Sequence, residues 1–140
     1  NYSDFKKFTD KTKSDINLFA FKYSNLQKSL GNSHTQIELK NNKIHNINVK
    51  EKYKELRYGH AGFFWIKNGH IFNHLNTFKN SRYFKKIRRE ILIDDYFKFL
   101  IVNKLISSSC FILDNYIHIG SEKEYLEYIY WEKYNLRNNE

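Results

Sequence analysis

Several polar side chains of this sequence stand at points where a predicted strand or helix begins or ends. Glu90, Asp94 and Asp95 surround the start of a predicted helix, where carboxylates can accept hydrogen bonds from hydroxyl groups. Asp94 can equally be the plain N-cap of that helix. Asp114 follows an apolar run and can bind a metal ion or cap a turn. His118 can be a metal ligand, a phosphate contact or a hydrogen-bonded core histidine, and the residues alone leave these alternatives open.

The segment from 79 to 89 is strongly basic. It interleaves Tyr83 and Phe84 with Lys79, Arg82, Lys85, Lys86, Arg88 and Arg89. Such a pattern is typical of a groove for single-stranded nucleic acid, and equally of a solvated helix face. The net charge of +9 favours contact with polyanions, although a composition rich in Lys and Asn also explains it. We therefore expect charge-driven contact with polyanions and no specific recognition of nucleic acid.

Cys110 is the only cysteine of the chain. An internal disulfide and a cysteine-based zinc site are therefore excluded, and no Ser-His-Asp or Cys-His pattern is present. The apolar neighbours of Cys110 predict a small core residue in a reduced, cytoplasmic protein. No apolar run approaches the roughly 20 residues of a membrane-spanning helix, and from the polar first segment we expect no signal peptide.

The hydrophobic pattern predicts an α/β or α+β domain over residues 1–140. In chain order it predicts a surface helix over 3–15, a buried strand over 16–23, a hairpin of 35–39 and 43–49, a central strand over 61–66, short helices over 70–78 and 81–89, a helix capped by Asp94, a strand over 111–113 and a helix from Ser121. The last helix opens with a capping box of Ser121 and Glu124. We expect it to bury Leu126, Ile129 and Tyr130.

Three segments carry motifs in a consistent order. INVKEK (47–52) precedes HAGFFW (60–65), REILIDD (89–95) forms the second segment, and YIHIGSEKEY (116–125) with EYIYWEKY (127–134) forms the third. All five stretches are similar to motifs of one superfamily. In the same order, these motifs are V-x-V-K-E (or V-x-E-K-P), H-A-x-x-G-x-F-x-F, N-G-E-F-Y-I-D-S, Y-x-x-x-G-T-P-E-D-L and E-Y-x-Y-W-x-x-Y. In these segments the chain resembles the sugar-phosphate nucleotidyltransferases that make nucleotide sugars for capsule, lipopolysaccharide and cell-wall synthesis.

The resemblance implies the C-terminal portion of a doubly wound, mostly parallel sheet, with a β-hairpin insertion and a C-terminal helix. It implies that the N-terminal half of that domain, with its G-x-G-x-R-F loop and first metal-binding Asp, lies outside residues 1–140. The five glycines here form no phosphate-cradling cluster. Three positions depart from the family pattern. Tyr53 replaces the Pro of E-K-P, His118 replaces a metal-binding Asp of some relatives, and the Pro of G-T-P is Lys123 or absent.

The resemblance also implies a site. Lys50 would meet the phosphate of the acceptor, with Lys52 as the alternative because the alignment can slide by two residues. His60, Glu90 and Asp94 would bind substrate, and His118 and Asp114 would bind metal. The implied cofactor of the complete enzyme is Mg²⁺, and the implied partners are a nucleoside triphosphate, a phosphorylated acceptor, and an N-terminal half or a second copy. A small basic nucleic-acid-binding or protein-interaction domain is the alternative.

Overall fold

The structure is a computed structural model, and it describes residues 2–23, 35–40, 43–50, 58–114, 116 and 122–137. Its helices are α1 (Tyr2–Lys11), α2 (Leu75–Asn80), α3 (Arg82–Lys86), α4 (Ile93–Val102) and α5 (Glu122–Arg137), with a 3-10 helix over Gly69–His74. Its strands are β1 (Ile16–Lys22), β2 (Gln36–Lys40), β3 (Lys43–Asn48), β4 (Tyr58–Ile66) and β5 (Ser108–Leu113). Strands and helices alternate as the sequence predicts, so the α/β class is confirmed.

The five strands form one sheet in the order β3-β2-β4-β1-β5. β1 and β5 run parallel, whereas the pairs β1–β4, β2–β3 and β2–β4 are antiparallel. The expected mostly parallel sheet is therefore not what the described strands form. The reason is local: two residues separate β2 from β3, and a connection that short can only join antiparallel strands. A parallel pair needs a long connection, and that between β1 and β5 includes β2, β3, β4 and the helices that follow β4.

One face of the sheet packs against α4. Leu18, Ile37 and Ile47 of the sheet and Phe97 and Leu100 of α4 are almost fully buried there. The apolar residues of α4 recur at helical spacing, so they lie on the side of the helix that meets the strands. This face fixes the position of the N-terminal turn of α4 against β2, β3 and β4.

The opposite face is aromatic. Phe19, Phe21, Tyr23 and Ala61 are buried there, and Phe5 of α1 packs on Phe19 with ring centroids 5.5 Å apart. Near this point Gly62 adopts a φ of +85°, and the β1–β4 register shifts between Leu18 and Ala20. A glycine in the left-handed region is typical of a β-bulge, which bends the strand locally.

Two predicted helices differ from the structure, one at its start and one at its end. α4 begins at Ile93 with Leu92 as its N-cap, so Asp94 is not the cap. Asp95 instead reaches back to accept a hydrogen bond from the Leu92 N–H at 2.9 Å, which is the carboxylate half of a capping box. The predicted helix over 81–89 covers only Arg82–Lys86, where the Ser81 hydroxyl caps the turn by accepting from the Phe84 N–H.

The predicted burial of the C-terminal helix is wrong for this chain. α5 forms, but Leu126 is 58% exposed and Tyr130 is 61% exposed. Tyr130, Trp131 and Tyr134 make ring contacts with one another. The apolar residues of α5 spread over a wide arc instead of one stripe, so no single face directs the helix onto the sheet. Ser121, the predicted cap, lies outside the described residues.

None of the described helices has the length and apolar character needed to cross a membrane. The partly buried Cys110 packs against the core on the α4 side of the sheet, which confirms its expected place.

Candidate functional site

A buried polar cluster lies where the N-terminal turn of α4 meets β2 and β4. His60 Nδ1 lies 3.0 Å from Asp94 Oδ1, and the Thr35 hydroxyl donates to Asp94 Oδ2 at 2.6 Å. The side chain of His60 is only 3% exposed and that of Asp94 is 13% exposed. The two residues that the motifs assign to substrate binding are thus in direct contact, and both oxygens of Asp94 have partners.

Both ring nitrogens of His60 face acceptors. Nδ1 meets the Asp94 carboxylate, and Nε2 lies 3.1 Å from the Phe63 carbonyl oxygen. A carbonyl oxygen can only accept, as can an ionised carboxylate, so each contact needs a proton on the nitrogen. The two hydrogen bonds can form together only in the imidazolium form, which would pair a positive ring with Asp94.

The pKa of Asp94 reflects these neighbours. Burial alone would raise it, but the hydrogen bond and charge of His60 and the hydrogen bond from Thr35 hold the pKa below its ordinary value of 3.8. The adjacent Asp95 opposes this effect slightly by its own charge. Asp94 is therefore an ionised, well-bonded carboxylate that positions β4 against α4.

Asp95 is the centre of a second cluster beside the first. Arg89 binds it in a bidentate manner, with both nitrogen–oxygen distances 2.8 Å, and the Tyr83 hydroxyl donates to it at 2.9 Å. Burial would raise the pKa of Asp95, but the hydrogen bonds from Arg89, Leu92 and Tyr83 and the Arg89 charge lower it. Sequence reasoning did not assign these partners, although the closely spaced Arg89 and Asp95 were visible.

Lys50 is tied to this second cluster through the backbone. Arg89 donates to the carbonyl oxygen of Val49 at 3.1 Å, which holds the end of the hairpin near the start of α4. Lys50 follows directly, is exposed, and has a φ of +51°. A non-glycine residue in this left-handed region is uncommon, so the backbone at Lys50 departs from the strand direction directly after the carbonyl that Arg89 holds.

The other predicted site residues are not brought together. Glu90 is exposed, and it is its backbone carbonyl that accepts a hydrogen bond from Arg89. Asp114 is exposed at the end of β5. Lys52 and His118 lie outside the described residues. Within the described ranges no three His, Cys, Asp or Glu side chains converge as metal ligands would. Magnesium stays a prediction for the complete enzyme.

Four polar residues on the hairpin face away from α4, and we call them the amide cluster: Gln36, Glu38, Asn46 and Asn48. They form two cross-strand pairs, Gln36 with Asn48 and Glu38 with Asn46. Asn48 donates to Glu38 at 2.7 Å, and Asn46 donates to Asn48 at 3.2 Å. Sequence reasoning missed this cluster, although the polar positions alternate with Ile37 and Ile47 and so predict a shared face.

An apolar groove lies on the aromatic face, with a volume of about 410 Å³. It is lined by Phe5, Phe19, Phe63, Phe64, Trp65, Phe111 and Leu113. All of the lining side chains are apolar or aromatic, so the groove differs in chemistry from the two ionic clusters and from the amide cluster.

No protein-family model matches the sequence, and no curated protein matches it. Two solved structures are similar to this chain. The nucleoside-diphosphate-sugar pyrophosphorylase from Vibrio cholerae RC9 matches with a TM-score of 0.62 and 17% identity, over 81% of this chain and 46% of that protein. The inositol-1-phosphate CTP transferase from T. maritima matches with a TM-score of 0.59 and 16% identity, over 81% of this chain and 42% of that protein.

The chain has a nucleotidyltransferase-like fold. It spans less than half of the length of either of these two proteins. At such identities the likeness concerns the fold, and the roles of individual residues rest on the geometry above. In this nucleotidyltransferase-like fold, the clusters around Asp94 and Asp95 join the hairpin, β4 and α4 at one end of the sheet.

Proposed function

We propose that this chain is the acceptor-binding part of a nucleotidyltransferase. The complete enzyme would join a nucleoside triphosphate to a sugar phosphate or another phosphorylated acceptor and release pyrophosphate. The two similar structures, one a nucleotide-sugar pyrophosphorylase and one a CTP transferase for inositol 1-phosphate, support this class of reaction. The nucleotide-binding half, with the parallel part of the sheet, would be supplied outside residues 1–140.

The observation that carries the proposal is the placement of Lys50. The Arg89 guanidinium binds Asp95 of α4 and the Val49 carbonyl at once, so Lys50 is held next to the α4 N-terminus. His60 and Asp94 meet at that same end of the sheet. Three residues that the motifs assign to the acceptor thus lie in one region, although they are far apart in the sequence.

In a nucleotidyl transfer reaction, the proposed task of this part of the enzyme is to bind and position the acceptor phosphate. An oxygen of the acceptor phosphate attacks the α-phosphorus of the triphosphate, a new P–O bond forms, and the bond to pyrophosphate breaks. Both reactants are anions, so catalysis depends on positioning them and on neutralising their charge. Lys50 would neutralise and hold the acceptor phosphate. The Arg89–Asp95 pair would hold the backbone that presents Lys50.

The test is a comparison of ligands on the isolated 140-residue protein. Isothermal titration should detect binding of phosphorylated acceptors such as glucose 1-phosphate or myo-inositol 1-phosphate. No pyrophosphate should be released from any of the four nucleoside triphosphates. Much of the rate depends on backbone N–H groups that stabilise the transferring phosphates, and in this proposal those groups belong to the nucleotide-binding half. Pyrophosphate release by this chain alone would contradict the proposed division of labour.

A second candidate is a protein-interaction domain, which the exposed aromatic surface of α5 favours. Tyr125, Tyr130, Trp131 and Tyr134 are each at least 50% exposed, and large exposed aromatic patches are typical of interfaces. Sedimentation equilibrium of the wild type and of Trp131→Ser would test it. Self-association that Trp131→Ser weakens supports an interaction role for α5, and a monomer at every concentration argues against self-association through α5.

A further inference from the structure

Residues 69–89 form a basic segment that contains no aspartate or glutamate. Arg89 binds Asp95 and is therefore engaged in the fold. The other cations of the segment are exposed, and we call them the basic surface: Lys79, Arg82, Lys85, Lys86 and Arg88. Across the described ranges of the chain, none of these five side chains forms an ion pair. Their charge is thus available to an anionic partner.

The two aromatic residues among these cations are directed into the fold. The Tyr83 hydroxyl donates to Asp95 at 2.9 Å, and the ring of Phe84 packs on Phe78 with centroids 5.1 Å apart. Successive helical residues are about 100° apart, so the three cations of α3 lie within an arc of about 100° on the opposite side of that helix. The rings that would stack on the bases of a single-stranded nucleic acid are therefore turned away from the basic surface.

Two apolar side chains are exposed at the other end of the same segment. Phe72 is 44% exposed and Leu75 is 38% exposed, whereas Ile71 and Phe78 beside them are buried. Phe72 and Leu75 are three residues apart, which is one turn of the 3-10 helix, and Lys79 follows Leu75 by one turn of α2. A strip of exposed apolar side chains therefore leads directly to the basic surface.

We propose that residues 69–89 dock on an anionic lipid surface. Cations that meet the headgroups, together with apolar side chains that enter the boundary of the acyl region, are the two parts of such a contact. The exposed Phe72 and Leu75 favour lipid over nucleic acid, because they offer little to a phosphate backbone. The inference goes beyond the proposed function and does not rest on it, since no residue assigned to the acceptor belongs to this surface.

The test is cosedimentation of the 140-residue protein with vesicles at about 0.1 M salt, where surface charges still act over about 10 Å. Wild type should bind phosphatidylcholine vesicles that contain about 30% phosphatidylglycerol, and should not bind pure phosphatidylcholine. The informative variant removes the three cations of α3 together: Arg82→Gln, Lys85→Gln and Lys86→Gln. Each cation near an anionic membrane contributes about fivefold in affinity, so the triple variant should bind about 100-fold more weakly.

The matched control removes the same charge from another exposed helix. It replaces three lysines of α1: Lys6→Gln, Lys7→Gln and Lys11→Gln. This variant should bind the anionic vesicles within about threefold of wild type, because α1 is not part of the proposed surface. All six substitutions are at exposed positions, so both triple variants should melt close to wild type.

Phe72→Ser tests the apolar part of the contact. Its affinity for the anionic vesicles should fall by about three- to tenfold, because the ring no longer leaves water on docking. Its affinity for a single-stranded oligonucleotide should equal that of wild type, since only the cations attract the phosphates. Leu126→Ser, an exposed apolar position on α5, is the matched control and should bind the vesicles as wild type does.

Several results would overturn the inference. Wild type that does not bind anionic vesicles, or equal losses in the two triple variants, would show that residues 69–89 form no lipid-docking surface. Unchanged vesicle binding by Phe72→Ser, or an equal loss with Leu126→Ser, would remove the apolar part of the contact. Submicromolar binding of the oligonucleotide that the α3 variant abolishes would assign the surface to nucleic acid. None of these measurements involves phosphate binding at Lys50, so the proposed function is tested separately.

Discussion

His60 of β4 and Asp94 of α4 are joined by a 3.0 Å contact between Nδ1 and Oδ1. The contact joins a strand to the first turn of a helix that packs across the sheet, and Thr35 of the hairpin donates to the same carboxylate. One side chain, Asp94, therefore connects three elements. The predictions below concern what this connection and its neighbours do for stability and for ligand binding.

Removing the charge of Asp94 should destabilise the fold. Asp94→Asn keeps the size of the side chain but weakens its bonds to His60 and Thr35, so we expect a loss of about 1–3 kcal/mol of unfolding free energy. Urea denaturation followed by circular dichroism measures it. Asp10→Asn, on exposed α1, is the control and should stay within about 0.5 kcal/mol of wild type. Equal stability of the two variants would mean that the buried pair contributes nothing.

The stability of the fold should fall in acid. Asp94 and Asp95 both have pKa values below 3.8 in the folded chain, against about 3.9 in an unfolded chain. Folding therefore favours their ionised forms, and their contribution is complete above about pH 5 and lost as the pH falls below 4. Unfolding free energies from pH 7 to pH 2 should show a steeper decline for wild type than for Asp95→Asn. Parallel curves would contradict the lowered pKa of Asp95.

Cys110 should be unreactive in the folded protein. Burial raises the pKa of its thiol to about 12, so almost no thiolate is present at pH 8. Alkylation by iodoacetamide, followed by mass spectrometry, should be at least about 100-fold slower in the folded chain than in guanidinium chloride. Rapid alkylation of the native protein would show that the strand carrying Cys110 opens readily.

The C-terminal helix should tolerate truncation of its largest apolar side chains. Leu126 is 58% exposed, so Leu126→Ala should cost less than about 1 kcal/mol. Leu100→Ala, in the buried core against the sheet, should cost about 2–5 kcal/mol. The comparison uses the same substitution in two helices. A large loss at Leu126 would indicate that α5 is covered in solution by a second copy.

Much of the local structure was predictable from the sequence, because it depends on short-range patterns. The alternation of Ile37 and Ile47 with polar residues predicted the hairpin, and the aromatic run 61–66 predicted a central strand. The strand directions were not predictable in the same way. They depend on which distant strands pair, and no local pattern carries that information.

The candidate site was predictable only in part. The motifs singled out His60 and Asp94, but their direct contact required the packing of α4 on the sheet. The burial of α5 was wrongly predicted because its capping pattern and apolar content specify a helix without specifying what the helix contacts.

Two substitutions of Lys50 separate the effect of its backbone conformation from the effect of its charge. Its φ of +51° favours glycine, so Lys50→Gly should not destabilise the fold even though it removes the ammonium group. Lys50→Met removes the charge with little change in length. Lys43, an exposed lysine at the other end of β3, provides the matched variant Lys43→Met.

The most direct test of the account is the affinity of these proteins for phosphate-bearing ligands, measured by isothermal titration with inorganic phosphate and glucose 1-phosphate. A lysine–phosphate hydrogen bond contributes roughly 1.5–3 kcal/mol, so Lys50→Met and Lys50→Gly should each weaken both ligands by about 10- to 100-fold. Lys43→Met should bind as wild type does. If Lys50→Met retains wild-type affinity, or loses no more than Lys43→Met, Lys50 does not hold the acceptor phosphate and the proposed function is contradicted.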